Sequence, residues 1–556
     1  MSTTITLTGF AGAILAEHAR HLPPAAGVSV IDAEPGHTDL RPMRAAVTVA
    51  TVPTSPQRKT IYRMGRDSIN DALYWLSWST IVSAIRGFDG DDTTERTYFT
   101  GSGTPKWTDN STGPAGGLTG GPPYPQGTRE LAVPAPTTAM QIAMGTDGAS
   151  GTASTNFYVQ TFVNDIGWES APSPPSTGLS MKPGAIVNIG NTTPMEAAPS
   201  PPSIYGITLR RIYRTQTGTS GNADFFFLRE VAIATTTTTD DARALGALMA
   251  TAGWIPPPTT GFGIIALWGG MTAMLGGKRI LFSEPNKPYT YPEKYDIATL
   301  DTPLATAKWE QNLLVLTTGR PVLCQGTGPA SIDDSQLSLS QPLAAVQSVV
   351  SFGHGVCWAS NEGLAYAGAS GQANIILGVL TPRQWKAMIP STMIAGRYGR
   401  FYVCSYNDGS GKKAFMLDPL APSGLWYLST GFDACHYDDL ADALFVLEGG
   451  NVRKFDAGGL LVAKFISKRF LQTTPRNFSV AKVVATTYPV TLTVTARWVN
   501  GAGAMQTRAE TRSVLNDHAF PLKDGFMADD WQIEVWSPES VQAVRLAMDQ
   551  SDLKGL

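Results

Sequence analysis

Charged residues are scarce in this chain of 556 residues. Asp, Glu, Lys and Arg together make up 16% of it, against about 25% in typical soluble domains. The 42 Lys and Arg nearly cancel the 45 Asp and Glu, so the formal net charge is −3. This balance excludes a polybasic surface as the main means of holding nucleic acid. The sequence also lacks a run of about 18 apolar residues, so it predicts no transmembrane helix.

Cysteine and histidine are few and scattered, which argues against a metal site. No Cys-x-x-Cys pair and no H-E-x-x-H spacing occurs. The sequence therefore predicts buried, reduced thiols, no bound metal, and structural roles for the histidines within the repeats, His354 and His436. The four cysteines are Cys324, Cys357, Cys404 and Cys435, and the other histidines are His18, His21, His37 and His518.

Motifs of catalysis and export are missing as well. There is no G-x-S-x-G elbow and no phosphate-binding loop. The turn Ser360-Asn361-Glu362-Gly363 lacks the Asp and the closing Thr-Trp of the sialidase Asp-box. The short apolar run from Phe10 to Leu15 follows no basic residue, so it is a poor signal sequence. We expect a protein that stays in the cytoplasm where it is made, with no enzymatic activity, no catalytic residues and no cofactor.

Turn residues and apolar residues are plentiful. The chain has 56 Gly and 39 Pro, and 43% of it is hydrophobic, a composition typical of many short strands joined by tight turns. Hairpin-like units recur at intervals near 40 residues, which is typical of a β-propeller. The units turn at Gly276-Gly277, near Gly319, at Asn361-Glu362-Gly363, at Asp408-Gly409-Ser410-Gly411 and at Gly449-Gly450.

The sequence predicts an all-β fold: a β-propeller of about six blades with an inserted sandwich and a C-terminal β-domain. Strand runs such as Val490 to Ala496 alternate branched and small residues, which supports the C-terminal domain. The expected divisions are an N-terminal arm (1–59), a first blade (60–110), a Gly/Pro-rich linker (111–150), the sandwich (151–245), the remaining blades (246–464) and the C-terminal β-domain (465–556).

The insertion has three long β runs in order: Phe157 to Asn164, Ile207 to Arg214 and Phe225 to Val231. The first run leads into Trp168-Glu169-Ser170 and a Pro-rich stretch. This order resembles a fibronectin type III domain, a sandwich of two antiparallel sheets. The alternative is that these strands extend the neighbouring domain.

Two polar clusters are candidate binding sites. Asp89, Asp91 and Asp92 could hold a calcium ion, although a solvated turn is the favoured interpretation because no further acidic ligand follows at the required spacing. Arg210, Arg211 and Arg214 could contact phosphate or DNA, with an exposed sandwich strand as the favoured alternative. The aromatic residues Trp75, Trp78, Trp268 and Trp309 are expected to pack the blades rather than to form a carbohydrate platform.

Several segments, taken in their order, resemble the tail nozzle proteins of short-tailed bacteriophages, also called tail tubular protein B. They are spread over most of the chain, and residues 110–245 contribute least. The segments are Phe10-x-Gly12, Leu22-Pro23 and Gly36 to Pro42 in the arm; Arg96 to Gly101 with Thr104-Pro105-Lys106; Leu281-Phe282-Ser283-Glu284-Pro285-x-x-Pro288; and Ser467 to Phe470 followed by Pro475 to Phe478.

The resemblance implies a structural protein of the virion tail that is assembled in the host cytoplasm. Members of that family form a homo-hexameric ring below the portal and the tail adaptor, continue the channel through which double-stranded DNA leaves, and present surfaces to tail fibres or a plug. Near-neutral charge is compatible with this role, since DNA could pass without many phosphate contacts. The Gly/Pro-rich stretch from Gly113 to Pro125 is a candidate docking segment for neighbouring rings.

Two other classes of function stay open. A tail-associated propeller that binds a receptor or a glycan would need an exposed aromatic platform with polar neighbours. A propeller-type glycan hydrolase would need two carboxylates that converge at the propeller mouth, and no pair close in sequence meets that need.

Overall fold

The computed structural model describes residues 4–64, 70–90, 92–113, 125–191, 193–217, 223–523 and 527–553, and the fold is all-β. Among these residues no helix has the length and apolar character to cross a lipid bilayer. Four strands lie in the arm: β1 (Thr4–Leu7), β2 (Ala11–Ala13), β3 (Ala26–Ile31) and β4 (Val47–Thr51).

Six strands follow before the insertion: β5 (Thr60–Arg63), β6 (Trp75–Trp78), β7 (Ser83–Arg86), β8 (Thr97–Thr100), β9 (Lys106–Thr108) and β10 (Arg129–Glu130). The insertion contains β11 (Ile142–Thr146), β12 (Ser154–Asn156), β13 (Tyr158–Asn164), β14 (Leu179–Met181), β15 (Ile186–Ile189), helix α1 (Pro202–Tyr205), β16 (Ile207–Thr217), β17 (Ala223–Ala232) and β18 (Thr238–Asp240).

The central region has nineteen strands and one short helix. They are β19 (Phe262–Ala266), β20 (Thr272–Gly276), β21 (Arg279–Phe282), β22 (Ile297–Ala298), β23 (Pro303–Trp309), β24 (Asn312–Thr317), β25 (Val322–Gln325), β26 (Asp333–Gln336), β27 (Val350–Ser351), β28 (Gly355–Ala359), β29 (Leu364–Gly368), β30 (Gly371–Asn374), α2 (Pro382–Ala387), β31 (Ile394–Tyr398), β32 (Phe401–Asn407), β33 (Lys412–Leu417), β34 (Trp426–Leu428), β35 (Ala434–Asp438), β36 (Ala443–Glu448) and β37 (Asn451–Lys454).

The C-terminal region adds seven strands. They are β38 (Ala463–Arg476), β39 (Val480–Ala485), β40 (Val490–Val499), β41 (Met505–Val514), β42 (Phe520–Pro521), β43 (Ala528–Ser537) and β44 (Val541–Ala547).

Seven small sheets follow one another in a closed ring. Strand β7 packs on β19, β19 on β23, β23 on β27, β27 on β31, β31 on β35 and β35 on β5. The last step, from β5 to β7, is made by Thr60, whose Oγ1 accepts a hydrogen bond from Val82 N at 3.1 Å. Five of these sheets have four antiparallel strands that are consecutive in sequence, the last combines β35-β36-β37 with β4, and the sheet β5-β6 has two strands.

The five predicted hairpins of the central region are confirmed. Each turn lies between the second and third strands of a sheet, as at Gly276-Gly277 between β20 and β21. The ring nevertheless has seven sheets where the sequence analysis counts about six. Residues 60–110 contribute to two sheets, because the chain turns between β6 and β7 instead of pairing them; Thr60 Oγ1 donates to Thr80 O in this turn at 2.9 Å.

The arm is built into the other domains. Strand β4 pairs with β37 and so completes the last sheet of the ring, β35-β36-β37-β4. Strand β1 pairs with β44, and β3 pairs with β38. The side chain of Phe10 is buried, with its ring edge on to Phe465 at 5.0 Å. The arm therefore joins the ring to the C-terminal domain.

The C-terminal β-domain is a sandwich. One sheet has the order β1-β44-β39-β42, and the other runs β3-β38-β43-β40-β41. The second sheet continues into the sixth sheet of the ring, where β3 lies parallel to β34. Alternating residues of β40, among them Leu492 and Val494, face the shared core, as their period of two predicts.

The insertion also has two main sheets, β13-β16-β17 and β11-β15-β18, around a core that includes Tyr158, Val187 and Ile212. Strand β11, which belongs to this sandwich, lies in the stretch predicted as a linker (111–150). Strand β10 lies in the same predicted linker. Residues 114–124, the middle of that linker, lie outside the described residues.

Three of the four cysteines are buried, Cys435 is half-buried, and all four are free thiols, so the predicted burial of the cysteines is confirmed for three.

The insertion is anchored on the ring through Trp168. Its indole is 7% exposed and stacks on Tyr289 with ring centroids 4.7 Å apart. Trp107 lies 5.8 Å away. An ion pair between Arg129 and Asp165 at 2.7 Å lies at the same junction.

We predict that Trp168→Ala lowers the free energy of unfolding by about 3–5 kcal/mol, because it leaves a large cavity among aromatic rings. Trp536→Ala is the matched control: that indole is 43% exposed, so its loss should cost less than about 1 kcal/mol. Urea denaturation followed by circular dichroism measures both. Equal effects of the two substitutions would contradict the anchoring role of Trp168.

Candidate functional site

A cavity of about 490 Å³ lies at the axis of the ring. All seven sheets contribute to its wall, and every described residue that lines it is uncharged. Residues from successive sheets are Thr60, Ser83, Phe262, Thr306, Val349, Ile394 and Cys435. The described wall therefore offers no carboxylate pair for glycoside hydrolysis.

Close approach of neighbouring backbones explains a glycine in this wall. Gly101 has a φ of 101°, and a Cβ atom there would collide with the carbonyl oxygen of Ile81. A larger residue would be strained and would also push apart the backbone that enters β7 and the backbone that leaves β8, two paired strands of one sheet. The sequence motif that ends at Gly101 is thus required by the ring's geometry.

Strand β35 places two chemically reactive side chains on opposite sides. The Cys435 thiol lines the axial cavity, and burial raises its pKa to about 12. It is therefore not a thiolate nucleophile at neutral pH. His436 faces the other way and packs against Tyr62 and Trp75, with ring centroids 4.8 and 6.1 Å away.

His436 is a half-buried residue whose imidazole is neutral at pH 7. Burial lowers its pKa to about 4; Asp438 opposes this effect and Arg63 adds to it. Next to it, buried Arg63 pairs with Asp438 at 2.8 Å and so links β5 to β35 across the seam of the ring. His354 lies far along the chain in the exposed turn between β27 and β28, with its ring near Phe352.

A second cavity of about 480 Å³ adjoins the first and shares Ile81 and Gln347 with it. The Asp433 carboxylate in its wall is held by Lys412 and Gln57. Two more basic residues, Arg58 and Lys59, line this second cavity, and no carboxylate among the described residues pairs with either. The wall of the second cavity thus carries a small excess of positive charge.

The calcium cluster, which the sequence analysis considered as the less favoured interpretation of Asp89, Asp91 and Asp92, is not assembled by the described residues. Asp92 accepts hydrogen bonds from Thr94 N at 2.9 Å and Arg96 N at 2.7 Å, and Arg96 also lies 3.5 Å from Asp89. Burial alone would raise the pKa of Asp92, but these hydrogen bonds lower it overall. Asp91 lies outside the described residues, among which no group of three potential ligands could hold a metal.

The three arginines of β16 do not lie on a fully exposed strand: Arg210 is buried, Arg211 and Arg214 are half-buried, and all three make contacts inside the insertion. Arg210 is fully buried over the Phe162 ring. Arg214 pairs with fully buried Asp240 at 2.5 Å. Arg211 pairs with Glu169 at 2.6 Å, on the opposite face of the strand. Their contacts are within the sandwich, so they do not form a surface patch for phosphate or DNA.

Glu169 is a residue whose role the sequence does not reveal. Besides Arg211, its carboxylate accepts hydrogen bonds from Thr161 Oγ1 and Tyr213 Oη, each at 2.6 Å. It directly follows Trp168, the anchor on the ring. The only sequence signal for this network is the fibronectin-like turn that contains both residues.

The expectation that the four singled-out tryptophans pack the sheets is confirmed. Trp75 and Trp78 are buried, and Trp268 and Trp309 are half-buried against hydrophobic clusters. Trp75 lies 4.9 Å from Phe445, a residue of the last sheet. These four residues therefore do not form an exposed carbohydrate platform.

The comparisons with known proteins give only distant likenesses. No protein-family model and no curated protein matches the chain. An exo-β-1,3-galactanase from Phanerochaete chrysosporium, solved with galactose, is 10% identical over 51% of this chain and 95% of its own, with a TM-score of 0.20. A mutant Trypanosoma rangeli sialidase with trans-sialidase activity is 9% identical over 98% and 97%, with a TM-score of 0.18.

We predict that burial of His436 makes stability fall as the pH drops from about 6.5 to 4. The unfolded chain binds a proton there and the folded chain does not, so up to about 3 kcal/mol is lost. Above about pH 6.5 His436 no longer contributes to the pH dependence of the unfolding free energy. His436→Phe should reduce the slope of unfolding free energy against pH, while His518→Phe, at an exposed site, should not; equal slopes for wild type and His436→Phe would contradict the prediction.

Proposed function

We propose that the closed ring of sheets is a seven-bladed β-propeller, and that the insertion is a fibronectin type III-like sandwich. The packing of consecutive first strands around an axial cavity supports the propeller. In this interpretation the N-terminal strand β4 supplies the outer strand of the last blade. Two three-stranded sheets around one core support the sandwich.

We infer that the protein is a structural component of a phage tail, the nozzle ring that continues the DNA-exit channel. The observation that carries this proposal is a contact between two segments that resemble the nozzle family. Lys468 Nζ, from the segment Ser467 to Phe470, donates a hydrogen bond to the carbonyl oxygen of Leu22, from Leu22-Pro23. Residues distant in sequence thus form one junction between the arm and the C-terminal sandwich.

A second contact strengthens this junction. Buried Asp530 pairs with Arg20 of the arm at 3.1 Å and accepts a hydrogen bond from Arg469 Nε at 3.0 Å. Arg469 belongs to the same family-like segment as Lys468. A carboxylate that holds one guanidinium group from the arm and one from this segment fastens the arm to the C-terminal sandwich, as a protein under load during DNA ejection requires.

The chemistry of the axis supports a structural role over a catalytic one. A hydrolase of the two-carboxylate type needs an acid and a base or nucleophile at one site, and the described wall of the axial cavity is uncharged. The proposed partners are five further copies in a homo-hexameric ring, the tail adaptor, tail fibres or a plug, and double-stranded DNA that passes without sequence-specific binding. The proposed location is the virion tail.

The test is immunoelectron microscopy of intact particles from the source, labelled with an antibody against this chain. The proposal predicts label at the distal end of the tail axis, on a feature with sixfold symmetry. Purified protein should also form a complex with six times the 59.2 kDa mass of one chain, measured by mass photometry.

The other outcomes separate the competing functions. Label on lateral fibres would overturn the nozzle and favour the receptor- or glycan-binding protein. Particles without label would overturn a virion role altogether.

A further inference from the structure

The insertion buries two polar side chains, Gln160 and Arg210, that lack a full set of partners. Gln160 on β13 is 1% exposed, and Arg210 on β16 is 0% exposed. Both polar atoms of the Gln160 amide and two nitrogens of Arg210, Nε and Nη1, have no hydrogen-bond partner among the described residues. Each polar group buried in this way costs free energy until it is paired.

The two side chains lie on one face of the sheet β13-β16-β17. In the register of β13 with β16, Gln160 is opposite Ile212, and Phe162 is opposite Arg210. Gln160 and Arg210 are therefore diagonal neighbours with Cα atoms about 7–8 Å apart, a separation that long side chains span. Ile212 belongs to the core of the insertion. The unpartnered atoms thus lie on the face that carries this core.

Arg210 lacks a charged partner, in contrast to the other arginine on this face of β16. Arg214 lies four residues further along the strand and pairs with the fully buried carboxylate of Asp240 at 2.5 Å. Arg210 forms no ion pair with a described carboxylate. Its one hydrogen bond runs from Nη2 to the backbone carbonyl oxygen of Glu196.

The carboxylate of Glu196 acts on Arg210 only from a distance. It accepts hydrogen bonds from the backbone N and the Oγ1 of both Thr137 and Thr138, at 2.7–2.9 Å. Burial lowers the pKa of Arg210 to about 10, and the charge of Glu196 opposes this effect. The guanidinium therefore stays charged at neutral pH, and no contact among the described residues neutralises it.

We propose that Gln160 and Arg210 bind a small monovalent anion of the halide class, such as chloride, inside the insertion. Arg210 Nε, Arg210 Nη1 and Gln160 Nε2 are hydrogen-bond donors, and the guanidinium supplies the opposite charge. Gln160 Oε1 is the only acceptor of the four unpartnered atoms, so donors predominate at the site. A water molecule would accept the same hydrogen bonds but would leave the buried charge unbalanced.

The anion would neutralise Arg210 as Asp240 neutralises Arg214. Because it binds the folded insertion and not the unfolded chain, it would stabilise the insertion by mass action. This inference goes beyond the proposed tail role and does not depend on it, since every residue that it uses lies in the insertion.

The first experiment locates the anion in the full-length chain. Crystals grown with sodium bromide in place of chloride are measured at the bromine absorption edge, and also at a long wavelength at which chlorine scatters anomalously. We expect an anomalous peak within hydrogen-bond distance of Arg210 Nη1 and Gln160 Nε2. Density for water at this position, without an anomalous peak, would overturn the proposal.

The second experiment distinguishes a built site from an adventitious ion only. Hydrogen–deuterium exchange of the amides of β13 and β16 is compared in chloride and in gluconate of equal ionic strength. Chloride at ten times its dissociation constant should slow the exchange of the wild type about tenfold. Arg210→Met should abolish this difference, because it removes the charge and two donors. Arg243→Met, at an exposed arginine of the same insertion, should retain it.

Gln160→Leu tests the amide separately. It removes one of the three donor groups, so the same protection should need about ten times more chloride. Circular dichroism checks that each variant folds, and the crystallographic result needs no variant.

Two results of the exchange experiment would overturn the proposal. One is equal exchange of the wild type in chloride and in gluconate. The other is a chloride effect in Arg210→Met as large as that in the wild type, which would indicate a general effect of salt.

Discussion

Backbone pairing between the N-terminal arm and the rest of the chain is the constraint on which this architecture depends. Strand β4 completes the last sheet of the ring, and Val52 N continues the contact by donating to Gly450 O at 2.8 Å. Strands β1 and β3 of the same arm complete the two sheets of the C-terminal sandwich. Neither domain has all of its strands without the arm.

This constraint explains how a chain with few charges closes a ring of sheets. The ring is closed by residues far apart in sequence, so opening it exposes apolar sheets and breaks a strand pairing at once. The contact between the first and the last sheets of the ring is further stabilised by buried Arg63 of β5, which pairs with Asp438 of β35. The described wall of the axial cavity is uncharged and combines apolar residues with neutral polar ones such as Thr60, Ser83 and Gln347.

Local signals in the sequence predicted much of the fold. Gly-Gly and Asp-Gly pairs allow positive φ angles at tight turns, and the hairpin that turns at Gly276-Gly277 lies where that chemistry predicts it. Alternation from Val490 to Ala496 likewise indicated β40 of the C-terminal domain. The pairing of β4 with β37 could not be predicted, because strand partners distant in sequence leave no local pattern.

The environments of single polar residues were equally hidden from the sequence. Arg210 was expected on an exposed strand, yet it is fully buried, with its guanidinium over the Phe162 ring and donating a hydrogen bond to the carbonyl oxygen of Glu196. His436 was expected to be structural, but only the packing of Tyr62 and Trp75 reveals why its pKa is low. Which face of a strand is buried depends on the partner that covers it, and a single strand's sequence does not name that partner.

Hydrogen–deuterium exchange on two substitutions at one position tests the central claim most directly. Val52→Pro removes the backbone N–H that bonds to Gly450, whereas Val52→Ala keeps it and removes only side-chain packing. If the arm closes the ring, amides of β36 and β37 should exchange faster in Val52→Pro than in Val52→Ala, with β13 and β16 unchanged in both. Equal exchange of β36 and β37 in the two variants would contradict the account.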